Sequence, residues 1–154
     1  MTASFVCRTQ STLPPERLFD LARSIDVHVD SQKGSRERAV AGVTSGLIGE
    51  GQEVTWRARH FALPLTMTSR VTALDFPRSF TDEQVRGPFR SFRHVHEFEP
   101  APGGSIMTDR VEFSAPFGRL GRAAEMLVLR PYLQRLIRNR ARFLASISSR
   151  TRAL

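Results

Sequence analysis

Six side chains in the middle of the chain carry groups able to move a proton or hold an ion: His60, Asp82, Arg86, His94, His96 and Asp109. A histidine beside a carboxylate in a dry pocket can remove or deliver a proton, and an arginine can steady the enolate that forms. With His94 or His96 as the base, Asp109 behind it and Arg86 on the oxygen, the residue types suit an aldol cyclisation or a dehydration. His94 and His96 also form a His-x-His pair, whose side chains on a strand share one side with Cα atoms about 6 to 7 Å apart. Joined by His60 or Asp109, such a pair could take zinc or iron. No further metal-spaced pair accompanies it, so two hydrogen-bonded histidines are the expectation, with no metal and no other cofactor.

Other chemistries find less support. No serine lies in a nucleophile elbow, and the single cysteine, Cys7, excludes an intrachain disulfide and reads as a small apolar strand residue. Gly42, Gly46, Gly49 and Gly51 lack the Gly-Lys-Ser/Thr ending of a phosphate loop and read as hairpin and bulge glycines.

The elements that must position these residues follow from pattern. Ser4 to Ser11 reads as a first strand. Pro14 and Pro15 open a helix carrying Leu18, Leu21 and Ala22, and a second short helix covers Ile25 to Val29. Asp30 to Arg38 is polar and reads as a surface connection. Short β-branched and aromatic runs then predict strands at 40–48, 52–62, 66–76, 78–86, 89–98 and 105–114.

Alternation assigns their faces. Val54, Trp56, Ala58 and His60 face inward, opposite Glu53, Thr55, Arg57 and Arg59. Phe92, His94, His96 and Phe98 face inward, as do Met107, Asp109, Val111 and Phe113, with Thr108, Arg110 and Glu112 in water. After Pro116 a helical period begins, and Leu120, Ala123, Ala124, Leu127, Leu136, Ile137, Phe143, Leu144 and Ile147 form one apolar stripe. Pro131 should bend or split this helix; its arginines at 122, 130, 135, 138, 140 and 142 fall largely off the stripe. The order predicts an α+β fold: a curved antiparallel sheet of about seven strands around a long C-terminal helix.

Composition is that of an ordinary globule, 40% apolar and 25% charged. The start of the chain lacks the pattern of a secretory signal, which sets a cytoplasmic expectation. Of the net charge of +8, all sits in the tail: Met1 to Gly118 carries 14 basic and 14 acidic residues, whereas Arg119 to Leu154 carries nine Arg and only Glu125. A solvated face is the first reading of that arginine-rich helix, with acidic lipid or nucleic acid as alternatives. Among the exposed arginines no aromatic interleaves save Tyr132, so no specific nucleic acid is expected.

Several blocks carry a family resemblance over nearly the whole chain. They are Pro15 to Asp20, Glu37 to Gly42, Val54 to Phe61, Asp82 to Phe89, His94 to Phe98, Met107 to Asp109 and Ala115 to Gly121. The sequence resembles the START-like superfamily also called SRPBCC, in particular its bacterial ligand-binding and polyketide cyclase/dehydratase-like branches. The resemblance implies a helix-grip fold spanning residues 1–154 as one domain, with a deep cavity between sheet and helix. The glycine-rich loop of the plant members has no clear counterpart.

The expected function is therefore binding of a small hydrophobic or amphipathic molecule by a monomer or homodimer. Trp56, Phe92, Phe98, Met107 and Phe113 would pack on its body, and His60, Asp82, Arg86, His94, His96 and Asp109 would meet its polar end. The competing readings are an internal ion-pair network without a ligand, and an acid–base enzyme in the same cavity.

Overall fold

The computed structural model describes residues 2–116 and 118–151; Phe117 of the Ala115 to Gly121 block, and the last three residues, lie outside them. Strand β1 (Ala3–Ser11) buries Ala3, Phe5 and Cys7 by strict alternation. Helix α1 (Pro15–Ala22) starts on a proline, whose missing N–H is not needed there, and buries Leu18, Phe19 and Ala22. Ser24 caps α2 (Ile25–Ser31) by accepting a hydrogen bond from Val27 N at 3.3 Å. A single 3-10 turn, Lys33–Ser35, leads to β2 (Arg38–Gly42).

Then follow β3 (Glu53–His60), β4 (Leu63–Asp75), β5 (Ser79–Arg86), β6 (Ser91–Ala101) and β7 (Gly104–Ser114). All seven strands form one antiparallel sheet in the order β1-β7-β6-β5-β4-β3-β2. The final helical stretch comprises α3 (Gly118–Ala124), a π-helical turn (Glu125–Leu129) and α4 (Arg130–Thr151). This is the helix-grip arrangement: a seven-stranded sheet curved around one long C-terminal helix, with two short helices after the first strand.

Several boundaries differ from expectation for identifiable reasons. The strand expected over 40–48 stops at Gly42, which has φ +72° and where a Cβ would collide with the Glu53 carbonyl. The chain then leaves the sheet, and Ile48 tucks back beside Ile25 and Trp56. The β3–β4 hairpin turns at Phe61 and Ala62, with φ of 52° and 61°, rather than near residue 64. Two left-handed residues in a row suit such a hairpin, but Asn-Gly normally supplies them, so Phe-Ala gives no sequence signal. The helical run continues through Pro131, but a π turn separates α3 from α4 just ahead of it. Its ring would crowd the Leu127 carbonyl one turn back, and the wider π turn lies just there.

The first part of that stripe is also not core. Leu120 is 85% exposed and Leu127 78% exposed, whereas Ala141 and Leu144 are buried. On the sheet, Thr108 is buried rather than in water, between its cross-strand neighbours Arg8 and Glu97.

Three apolar clusters make the interior. One joins Leu18, Phe19 and Ala22 of α1 to Phe80, Phe98, Met107, Ala141 and Leu144. A second joins Phe5 and Cys7 to Val111 and Phe113, with Leu133 and Ile137 of α4 against them. The third holds Ile25, Ile48, Val54, Trp56 and Val71. Between them the interior is hollow, and members of all three face the gap.

Candidate functional site

The hollow has a volume of about 320 Å³, at the lower end of the range for small-molecule pockets. Its wall is mainly apolar: Ile48, Val54, Trp56 and Val71 on one side, Phe89 and Phe92 on another, and Leu129, Leu133, Leu136 and Ile137 from the long helix. Of the residues expected on it, Trp56, His60, Asp82, Phe92, His94 and His96 reach the wall. Phe98, Met107 and Phe113 point inward but are packed within the core clusters, not on the wall. Asp109 lies behind His94 and His96.

Arg86 does not join the site. Thr68 pairs with Arg86 but Ser69 pairs with Gln84, so an extra residue, Val85, bulges from β5 and reverses the alternation. Arg86 falls opposite Thr68 and is exposed. Its expected place at the polar end of the cavity, on an enolate oxygen, is thereby lost.

The remaining polar residues on β5, β6 and β7 form a buried chain. His94 Nε2 lies 2.8 Å from Asp109 Oδ1, and His96 Nε2 lies 2.9 Å from Asp82 Oδ2. His96 Nδ1 is 3.0 Å from the same Asp109 oxygen, an ion-pair contact without hydrogen-bond geometry. The register dictates this meeting, since His96 is paired across the sheet with both Asp109 on β7 and Phe80 on β5. The Phe80 ring stacks on His96 at 4.1 Å.

Each member is tuned by its neighbours. Burial opposes charge on Asp109, but its close contacts with His94 and His96, and their charges, outweigh it and hold its carboxyl far below the usual range. Burial likewise opposes charge on His96, yet its contacts with Asp109 and Asp82 raise its pKa. His94 goes the other way: burial, and then the charge of His96, lower it. A carboxylate can only accept, so neutral His94 donates through Nε2 to Asp109. Its Nδ1 is left with no hydrogen bond to a described residue, a lone pair on a residue of the cavity wall.

Ligand atoms of Asp82, His94 and His96 lie within 4.8 Å of one another, a set that could hold a metal ion. The arrangement suits a proton network better. One nitrogen from each imidazole converges on Asp109 Oδ1, and the other His96 nitrogen is taken by Asp82.

The cavity carries a second polar group, of which pattern reasoning found only His60. His28 on α2 meets Glu37 at 2.6 Å and stacks on Trp56 at 4.2 Å. His60 Nδ1 and the Tyr132 hydroxyl are 2.7 Å apart. Burial raises the Glu37 carboxyl, but His28 more than offsets this and the pKa ends lowered; burial lowers that of His60 and raises that of Tyr132. Residues 30–38, expected to run over the surface, thus bring Gln32 and Glu37 to the wall. The sole sequence cue was the helix-edge position of His28, which alternation along strands cannot register. Arg140, expected off the apolar stripe, is buried with 6% exposure and also lines the cavity.

With this geometry established, comparison with known proteins is informative. Residues 2–147 match the profile of the family described as polyketide cyclase / dehydrase and lipid transport. The chain belongs to that family. Solved structures of similar fold include a protein from Thermus thermophilus, with a TM-score of 0.72, 15% identity, and coverage of 96% of this chain and 99% of that one. The ginseng major latex-like protein 151 from Panax ginseng gives a TM-score of 0.71 at 13% identity, covering 96% and 98%. A Chromobacterium violaceum protein gives 0.72 at 12% identity, covering 94% and 96%. No curated protein matches the chain. At these identities the likeness concerns the fold. Among the described residues, no helix of this family member is long and apolar enough to cross a membrane.

Proposed function

We propose that the protein binds a small, mainly apolar molecule with a polar end, as a single ligand-binding domain. One observation carries this reading: a cavity of about 320 Å³ walled by aliphatic and aromatic side chains, with a few polar groups set into it. Packed interiors have few voids larger than a water molecule. An apolar gap of this size therefore suits an occupant whose own apolar surface replaces the missing contacts. Membership of a family whose description includes lipid transport supports the same class of ligand. A thermal-shift screen against chemically varied lipids and polyketides tests it. Ligands that fit should raise the melting temperature in a concentration-dependent way. Indifference to all of them would contradict the reading.

A second reading, acid–base catalysis in the same cavity, rests on His94. Asp109 holds one of its nitrogens, the other has no described hydrogen-bond partner, and the residue lines the ligand space. That arrangement fits proton removal beside a carbonyl. His94→Ala should abolish base-dependent exchange of an α-proton on a bound β-dicarbonyl compound while leaving the fold intact. Exchange at the same rate in protein and variant would exclude His94 as the base.

A further inference from the structure

Arg140 is a buried charged group with no described carboxylate in contact with it. The residue is 6% exposed and lines the cavity, and its Nη2 donates to the Ala22 carbonyl at the end of α1 at 2.5 Å. Nε has no partner. Among the described residues no carboxylate stands within ion-pair distance of it. The two acids whose charge reaches Arg140, Glu37 and Asp82, are committed elsewhere, to His28 at 2.6 Å and to His96 at 2.9 Å.

A cation taken out of water is stable only when paired and hydrogen-bonded. Closing the end of α1 requires one N–H to one carbonyl, which an uncharged amide would provide; it does not account for a guanidinium. What the site lacks is a negatively charged acceptor in contact with the guanidinium, and Arg140 lines the ligand cavity.

We infer that Arg140 is the anion-recognition residue of this cavity, and that the ligands are amphipathic monoanions whose carboxylate or enolate oxygen lies against the guanidinium while the apolar body fills the hollow. The inference rests on the proposed ligand-binding role and sharpens it. Planar two-point contact with a carboxylate is what a guanidinium offers and an ammonium does not. The apolar Leu133, Leu136 and Ile137, on the same helix, line the space where the body would lie.

The experiment compares three probes with the same alkyl chain, decanoate, decanol and decylamine, by calorimetric titration of the full-length protein at neutral pH. Decanoate should bind more tightly than decanol by on the order of tenfold to a hundredfold. Arg140→Met should remove that preference, so that acid and alcohol bind with similar affinity. Arg140→Gln, which keeps a donor for Ala22 but no charge, should do the same. Equal affinity for acid and alcohol, or preference for the amine, in the parent protein overturns the inference while leaving ligand binding intact. This holds even should a variant fail to fold. Failure of all three probes to bind counts against the ligand-binding reading as well, and takes the inference with it.

Discussion

Asp109 and Arg140 are both buried ions, and the fold treats them in opposite ways. Asp109, 1% exposed, receives His94 and His96 and has its charge answered within the protein. Arg140, 6% exposed, has one backbone carbonyl and, among the described residues, no carboxylate in contact. The first arrangement is complete as it stands, whereas the second is open on the side of the cavity. The difference separates groups that hold the scaffold and set proton positions from a group whose partner comes from outside. It also yields predictions of different size.

The largest effect is expected at Asp109. Asp109→Ala leaves buried His96 with only Asp82 and deprives His94 of its acceptor, which should cost about 3 to 5 kcal/mol in urea unfolding. A loss below about 1 kcal/mol would show that this network is not the stabilising element inferred here. Next comes pH. The folded pKa values of Asp82, Asp109 and Glu37 lie below their ordinary values, so the stability they contribute is present above the ordinary carboxylate range. It is lost as pH falls through the folded values. His94 is lowered from 6.5, so the unfolded chain binds its proton first and stability already begins to fall as pH drops below that value. His96 is raised, and its contribution, full below 6.5, disappears as pH rises through its folded value. Unfolding midpoints between pH 4 and 9 should therefore show a maximum near neutrality, and His94→Gln should shrink the decline that begins just below 6.5, leaving the part that the likewise lowered His60 contributes.

Arg140→Met should act differently from Asp109→Ala. Losing a hydrogen bond to Ala22 is offset by no longer burying an unpaired charge, so stability should stay within about 1 kcal/mol of the parent. A destabilisation as large as that at Asp109 would mean Arg140 is already paired. The smallest effect belongs to the hairpin. Ala62 has φ 61°, a conformation costing an L-residue about 1 kcal/mol, so Ala62→Gly should raise stability by up to that amount in thermal unfolding.

Much of this architecture was legible in the sequence because strand alternation is a strong signal. It placed Trp56, His94, His96 and Asp109 on inward faces, where the structure has them buried. Alternation fails when one residue is inserted, and the bulge at Val85 turned Arg86 outward. It also does not separate an inward residue that lines a cavity from one that is packed: Phe98, Met107 and Phe113 are of the second kind. The other half of the polar site comes from short helices and a loop. His28 and Glu37 meet only through tertiary folding, which no periodicity reports. Arg140 shares its helix with several exposed arginines, and only packing against α1 distinguishes it. The exposed stripe at Leu120 and Leu127 is the reverse case, since apolar spacing there predicted a core contact that the π turn and the start of the helix do not make.

The central claim is that the hollow beside Trp56 is where a ligand goes. The chain has one tryptophan, and it forms part of the wall, so its fluorescence reports on that space. Titration with decanoate should give a saturable change in Trp56 emission at one ligand per chain. The change should vanish in Ala58→Phe, which fills the cavity from β3. An unchanged response in the filled variant, or none in the parent while calorimetry shows binding, would place the ligand elsewhere and contradict the account.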